Sequence, residues 1–203
     1  MNKTKIAVLV SGGGTNLQAL IDYKKEERFY DISLVISSNP DAYALARAEK
    51  NNIPTEVVSK KDFKTQEDFE KQIINLLEGN NIDLIVLAGF MCILTENFTS
   101  KYKNRIINVH PSLIPSFCGK GFYGLKVHEA ALKYGVKVTG ATVHFVNEIP
   151  DGGEIIMQKA VKILPNDTPE SLQKRVMEQA EWIILPEAVD NISKKYTYTR
   201  ATL

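Results

Sequence analysis

The sequence predicts an α/β fold, a doubly wound, Rossmann-like, mostly parallel sheet with antiparallel strands towards the C-terminus. Three observations carry that expectation. From Ile6 to Val109 apolar runs alternate with amphipathic stretches, as in successive βαβ units. Those runs are hydrophobic without interruption, as expected of strands covered on both faces. Further on, two β-rich runs are joined by a connection too short for a parallel crossover, so they must pair antiparallel.

The elements follow in order. Ile6-Ala7-Val8-Leu9-Val10 reads as a buried strand, followed by a glycine turn and a helix with Leu17, Leu20 and Ile21 at helical spacing. Ile32 to Ile36 is the next strand, Ala42 to Glu49 an Ala- and Leu-rich helix, and Pro54 to Val58 a short strand. From Thr65 a helix buries Phe69, Ile73, Leu76 and Leu77, and Gly79 closes it. Ile82 to Ala88 is the clearest strand, followed by a short helix near Glu96 to Tyr102 and a buried strand from Ile106 to Val109.

Residues 111–122 carry two prolines and two glycines and read as a loop before a helix from Gly124 to Tyr134. Lys137 to Val146 and Glu154 to Ile163 are the antiparallel pair, with Pro150-Asp151-Gly152-Gly153 between them. Either Asp167 or Thr168 caps the last helix, with Pro169 at its first position. Leu172, Val176, Ala180 and Ile183 line its buried face, and Pro186 is expected to kink or end it.

At 203 residues the chain is expected to be one domain spanning 1–203, since domains run to about 100–200 residues. With 25 basic and 24 acidic side chains it has no basic excess with which to bind nucleic acid or an anionic membrane. Cys92 and Cys118 match neither a zinc spacing nor a disulfide framework, so neither a metal nor a staple is expected and a reducing, cytoplasmic setting suits the chain. Met1 to Lys5 run straight into a strand, so neither a signal peptide nor a membrane span is expected. The composition leaves monomer and homodimer both open. Histidines number three, at 110, 128 and 144, so few side chains are available for acid–base work near neutrality.

Chemistry concentrates in three places. Ser11-Gly12-Gly13-Gly14-Thr15-Asn16 joins the first strand to the first helix. It is not a dinucleotide fingerprint, because Leu17 stands where the third Gly or Ala belongs and the second strand ends in Ser37-Ser38-Asn39 without an acid. Nor does a Gly-Lys-Ser/Thr close it as a Walker loop. Exposed N–H groups at a helix N-terminus do suit one phosphate, although a tight turn capped by Thr15 or Asn16 has the same residues.

Asn108-Val109-His110-Pro111 places an amide and an imidazole on one face of a strand at its C-terminal edge, a pair suited to a developing oxyanion. In isolation the same pair would read as groups satisfying loop backbone. Asp151 stands in an Asp-Gly turn, which alone is ordinary turn chemistry. His144, inside a strand, reads as a satisfied structural histidine. His128 reads as a surface residue, and Glu181 as an acid on a partly exposed helix face.

Taken together, Ser11-Gly12-Gly13-Gly14-Thr15-Asn16-Leu17-Gln18, Leu87-Ala88-Gly89-Phe90-Met91, Ile107 to Pro115 and Thr142 to Val146 followed by Asp151 closely resemble the folate-dependent phosphoribosylglycinamide formyltransferases. The resemblance runs in order along essentially the whole chain. It implies transfer of a formyl group from 10-formyltetrahydrofolate to the primary amine of glycinamide ribonucleotide, in purine biosynthesis and without a metal. It further implies that Gly14, Thr15 and Asn16 take the phosphate and that Glu181 contacts the glycinamide substrate. By the same resemblance Met91, Cys92, Ile93 and Leu94 lie along the folate with Asn108 and Gln66 also cofactor-binding, Asn108 and His110 are catalytic, and Asp151 interacts with His110. A carboxylate beside that imidazole is expected to raise its pKa.

The chain departs from the family pattern at three points. Cys92 and Gln66 stand where the family often has arginines near the folate tail, and Glu181 is one residue further from Val176 than is usual. The resemblance also frames the alternatives. Methionyl-tRNA formyltransferase would bring a C-terminal domain and a basic surface, formyltetrahydrofolate hydrolase an N-terminal regulatory domain. A non-catalytic nucleotide-binding module would leave the Asn108, His110 and Asp151 set without a use.

Overall fold

The computed structural model describes residues 3–23 and 28–201; the ends of the expected 1–203 domain, including Met1 and Asn2, lie outside the described residues. Its elements are β1 (Thr4–Val10), α1 (Thr15–Asp22), β2 (Tyr30–Ser37), α2 (Tyr43–Lys50), β3 (Thr55–Val57), α3 (Gln66–Gly79), β4 (Leu84–Leu87), α4 (Glu96–Lys101) and β5 (Ile106–His110). Then follow α5 (Leu125–Tyr134), β6 (Val138–Phe145), β7 (Ile155–Lys162), α6 (Pro169–Val176) and α7 (Trp182–Ala201). A π-helical turn over Met177–Glu181 joins the last two helices.

The strands form one seven-stranded sheet in the order β3-β2-β1-β4-β5-β6-β7. Strands β1 to β5 pair in parallel, whereas β6 pairs antiparallel with β5, and β7 with β6. This is the mixed doubly wound sheet that the sequence predicts. After β3 the chain returns to the other side of β1, so the order reverses between β1 and β4, and open α/β sheets bind ligands in the crevice at such a point.

Alternation along β1 divides the core. Ile6, Val8 and Val10 pack on the side of α1 and α7, while Ala7 and Leu9 pack with Phe69, Ile73 and Leu77 of α3 and with Phe98. Thr65 caps α3 by accepting from the Asp68 N–H, and Thr168, not Asp167, caps α6 in a reciprocal capping box with Ser171.

Two expectations for the last helix are corrected. Pro186 does not end it, since α7 continues to Ala201. The π turn inserts one residue into the α repeat, so the buried stripe shifts: Leu172, Val176 and Ala180 are buried, but then Ile184 at 3% exposure, and not Ile183 at 41%. His128 also departs from expectation: it is fully buried on α5, whose Val127 and Ala131 are buried beside it.

Candidate active site

The first loop is shaped by carbonyls that face α2. Gly12 O accepts from the Ala44 N–H at 3.1 Å and Gly13 O from Arg47 Nε at 2.8 Å. Gly14 has φ +70 and stands at the N-cap of α1 with no side-chain cap, so the first N–H groups of the helix lack the usual side-chain acceptor. A Cβ on Gly14 would sit 2.6 Å from Ala44 Cβ, which makes glycine obligatory there. The helix N-terminus stands at the C-terminal edge of β1 with its positive dipole end facing outwards, a setting that can attract an anion.

Glu181 joins this loop. Asn16 Nδ2 donates to Glu181 Oε2 at 2.8 Å, and Thr15 Oγ1 lies 3.9 Å from Met177 Sδ, so both ends of the π turn meet the start of α1. Glu181 is buried rather than on a partly exposed face, and burial raises its pKa while the Asn16 amide opposes the shift.

The second group forms where β5, β6 and the β6–β7 connection converge. Asn108 and His110 share one face of β5, and Asn108 is paired across the sheet with His144 of β6. Asn108 Nδ2 lies 3.2 Å from His144 Nε2, and His144 Nδ1 lies 2.7 Å from the Phe145 carbonyl. A carbonyl only accepts, so Nδ1 carries a proton, and in the tautomer whose Nε2 is bare that nitrogen accepts from Asn108.

Asp151, at φ +57 in the turn, reaches both imidazoles: Oδ2 is 3.4 Å from His110 Nδ1, and Oδ1 is 3.6 Å from His144 Nε2. Oδ2 also accepts from the Gly119 N–H at 2.8 Å. Burial opposes ionisation of Asp151, but His144, His110 and the Gly119 N–H together hold its pKa below the usual value.

His110 is 4% exposed, and Nε2 donates to the Phe117 carbonyl at 2.9 Å. Burial pushes its pKa down more strongly than Asp151 and the Phe117 carbonyl push it up, and His144 adds to the fall. Asp151 acts in the expected direction, but desolvation of the ring wins.

Beside this cluster lies a cavity of about 130 Å³ lined by Cys92, Ile93, Leu94, Asn108, His144 and Asp151, among others. Ligand pockets usually run to about 300–1,000 Å³, so this cavity is smaller than a usual ligand pocket. Met91 is 57% exposed and does not line it. Gln66 stands back from it as well: Nε2 donates to Glu70 Oε1 at 2.8 Å and to the Ile93 carbonyl at 3.1 Å, so both amide hydrogens are engaged. A larger cavity of about 450 Å³ on the outer side of α1, beside Thr15 and Trp182, contains none of Asn108, His110 or Asp151.

The structure thus gathers the expected residues into two groups: Gly14, Thr15, Asn16 and Glu181, and Asn108, His110, Asp151 and the segment Cys92 to Leu94. His144 belongs to the second group and was read only as structural. Its position two residues before the end of a strand antiparallel to that of Asn108 was the available signal, but the pairing register needed to use it is not written in the sequence. Among the described residues no group of three or more His, Cys, Asp or Glu side chains could hold a metal ion, and no helix is long and apolar enough to cross a membrane.

The chain is similar to known proteins along most of its length. A family model described as formyl transferase matches residues 4–189. The chain is 43% identical over 183 residues to phosphoribosylglycinamide formyltransferase of Haemophilus influenzae, covering 90% of this chain and 84% of that protein. It is 44% identical over 193 residues to the trifunctional purine biosynthetic protein adenosine-3 of Gallus gallus, covering 95% of this chain and 19% of that protein, so it spans about a fifth of that relative's length. The crystal structure of phosphoribosylglycinamide formyltransferase from Anaplasma phagocytophilum matches with a TM-score of 0.85 at 40% identity, over 95% of this chain and 87% of that one. By the extent of the family match and the identity to these relatives, the chain belongs to the formyl transferase family.

Proposed function

We propose that this chain transfers the formyl group of 10-formyltetrahydrofolate to the amine of N1-(5-phosphoribosyl)glycinamide, a step of purine biosynthesis, and does so in the cytoplasm as a single formyltransferase domain. The observation that carries the reading is the convergence of Asn108, His110 and Asp151 beside a small cavity, two strands from a glycine loop at a helix N-terminus. Two strand spacings are roughly 10 Å, which suits a substrate with a phosphate at one end and an amine at the other.

In this reading Gly14, Thr15 and Asn16 take the phosphate, and Glu181 holds the sugar–glycinamide part next to them. Cys92, Ile93 and Leu94, with Met91 before them, lie along the folate, and Gln66 fixes that segment through the Ile93 carbonyl. The substrate amine forms a bond to the formyl carbon, and the carbonyl oxygen takes on negative charge. The Asn108 hydrogen not given to His144, together with protonated His110, stabilises that oxygen. Collapse breaks the bond to the folate nitrogen, which leaves with a proton while the amine loses one.

His110 reaches the substrate only after Nε2 exchanges the Phe117 carbonyl for it. Phe117 sits at φ +50 in a stretch where Gly119, Gly121 and Gly124 also have positive φ, so this loop has strained and permissive positions at which to move.

The test is a formyl-transfer assay with glycinamide ribonucleotide as acceptor and water alone as control. Formyl transfer to the amine supports the reading. Release of tetrahydrofolate and formate without the acceptor would make the chain a hydrolase, and no turnover with either would make it a binding module.

A further inference from the structure

The reversal of strand order between β1 and β4 brings together two loops of different function. Ser11 to Gly14 leaves the end of β1, and Gly89 to Leu94 leaves the end of β4 after a turn at Gly89, where φ is +75. One side-chain bond joins them directly: Ser11 Oγ accepts from the Met91 N–H at 2.8 Å, between residues 80 apart in sequence. The hydroxyl is braced on its other side by Ser38 Oγ at 2.7 Å, and the Ser38 N–H is held by Val10 O at 3.0 Å. Ser11 therefore ties the loops after β2, β1 and β4 into one edge.

We propose that Ser11 is a positioning residue whose hydroxyl fixes the offset between the loop that receives the phosphate end of the acceptor and the segment that receives the formyl donor. The proposal rests on the function proposed above. Attack requires the amine nitrogen and the formyl carbon to meet at about 3–3.5 Å, and a misplacement of about 1 Å can cost about 100-fold in rate. Each reactant is gripped by a different loop. A slip between the loops therefore changes the distance between reacting atoms while leaving each loop's own contacts in place. The Gly12 and Gly13 carbonyls remain pinned to α2 without Ser11, and the Ile93 carbonyl remains pinned to Gln66.

The effect belongs in kcat and not in KM. Wild-type enzyme, Ser11→Ala and Ser11→Thr are compared by steady-state kinetics with both substrates varied, with thermal melting and with hydrogen exchange at the Met91 amide. In Ser11→Ala kcat falls about 10- to 100-fold, while both KM values stay within about threefold of wild type. Exchange at Met91 accelerates, and Ser11→Thr, which keeps the hydroxyl, recovers most of kcat. If Ser11→Ala does not fold, Ser11→Cys replaces it, because a thiol fills the space but is a weak acceptor. Wild-type kcat in the variant lacking the acceptor overturns the proposal. So does a loss confined to KM, or equal impairment of Ser11→Thr. Failure of the wild-type protein to formylate glycinamide ribonucleotide overturns the functional reading itself, which separates the two outcomes.

Discussion

His144 Nε2 lies 3.2 Å from the Asn108 amide nitrogen, directly across the β5–β6 pair, while Nδ1 of the same ring donates to the Phe145 carbonyl at 2.7 Å. Nδ1 thus carries a proton, and with Nε2 bare the ring orients the amide, which leaves the second Asn108 hydrogen for the cavity. His144→Phe removes the acceptor and lets the amide rotate. Turnover is expected to fall about 10- to 100-fold with little change in KM for the acceptor, and His144→Gln, whose amide oxygen also accepts, retains more of it. Steady-state kinetics on the two variants decide this, and equal activity of wild type and His144→Phe would show that the cross-strand pair has no part in turnover.

Asp151 is the other contact common to both histidines, through Oδ2 to His110 at 3.4 Å and Oδ1 to His144 at 3.6 Å. Its charge raises the His110 pKa against the larger lowering by burial. Asp151→Asn therefore lowers that pKa further. A rate that needs protonated His110 declines as pH rises through this pKa, so in the variant the decline begins at lower pH. Turnover at neutral pH is expected to drop by at least about 10²-fold, the scale of losing one oxyanion donor. A pH–rate profile with its alkaline arm unmoved, in a folded Asp151→Asn protein, would disprove the assignment.

The parallel core was legible because strands covered on both faces leave uninterrupted apolar runs, and Ile6 to Val10 and Leu84 to Leu87 are buried as read. Asn108 and His110 were legible through their i, i+2 spacing on one strand. What the sequence hides is register and local helix geometry. The π turn over Met177–Glu181 leaves no compositional mark, yet it moves the buried stripe from Ile183 to Ile184. The same turn carries Glu181, which accepts from the Asn16 amide. His128 was misread because a lone histidine early in a helix gives no sign of which face it occupies. The net lowering of the His110 pKa was not legible because its burial depends on a loop that folds over it.

Gly14 tests the first loop. Its φ is +70, and a Cβ there would lie 2.6 Å from Ala44 Cβ and 2.7 Å from Ala44 Cα, so the clash is with the backbone of α2. Gly14→Ala is expected to cost about 1–2 kcal/mol for the left-handed backbone alone, with more from the displaced loop. The melting temperature should fall and KM for the phosphorylated acceptor should rise together, because the shifted N–H groups no longer converge. Gly13→Ala, with nothing within 4 Å of the added Cβ, is the control and should melt near wild type. Equal melting of the two variants would mean that the α2 contact does not fix the loop.

His128 makes the acid stability of the protein predictable. The ring is fully buried, and neither nitrogen has a hydrogen-bond partner among the described residues. Burial, with a smaller contribution from His110, pushes its pKa down to about 4. In the unfolded chain the same group titrates near 6.5. At pH above this the ring is neutral in both states and stability does not depend on it. As pH falls below 6.5 the unfolded chain binds a proton that the folded chain refuses, and stability is lost progressively until pH reaches the folded pKa of about 4. The full loss is about 3 kcal/mol, from a separation of about 2.5 pH units. His128→Leu removes both the titration and the unpaired ring nitrogens, so it should stabilise the fold modestly at neutral pH and more at about pH 5. Urea unfolding midpoints at the two pH values check this, and a stability gain that is the same at both would show that His128 is not the group through which acid acts.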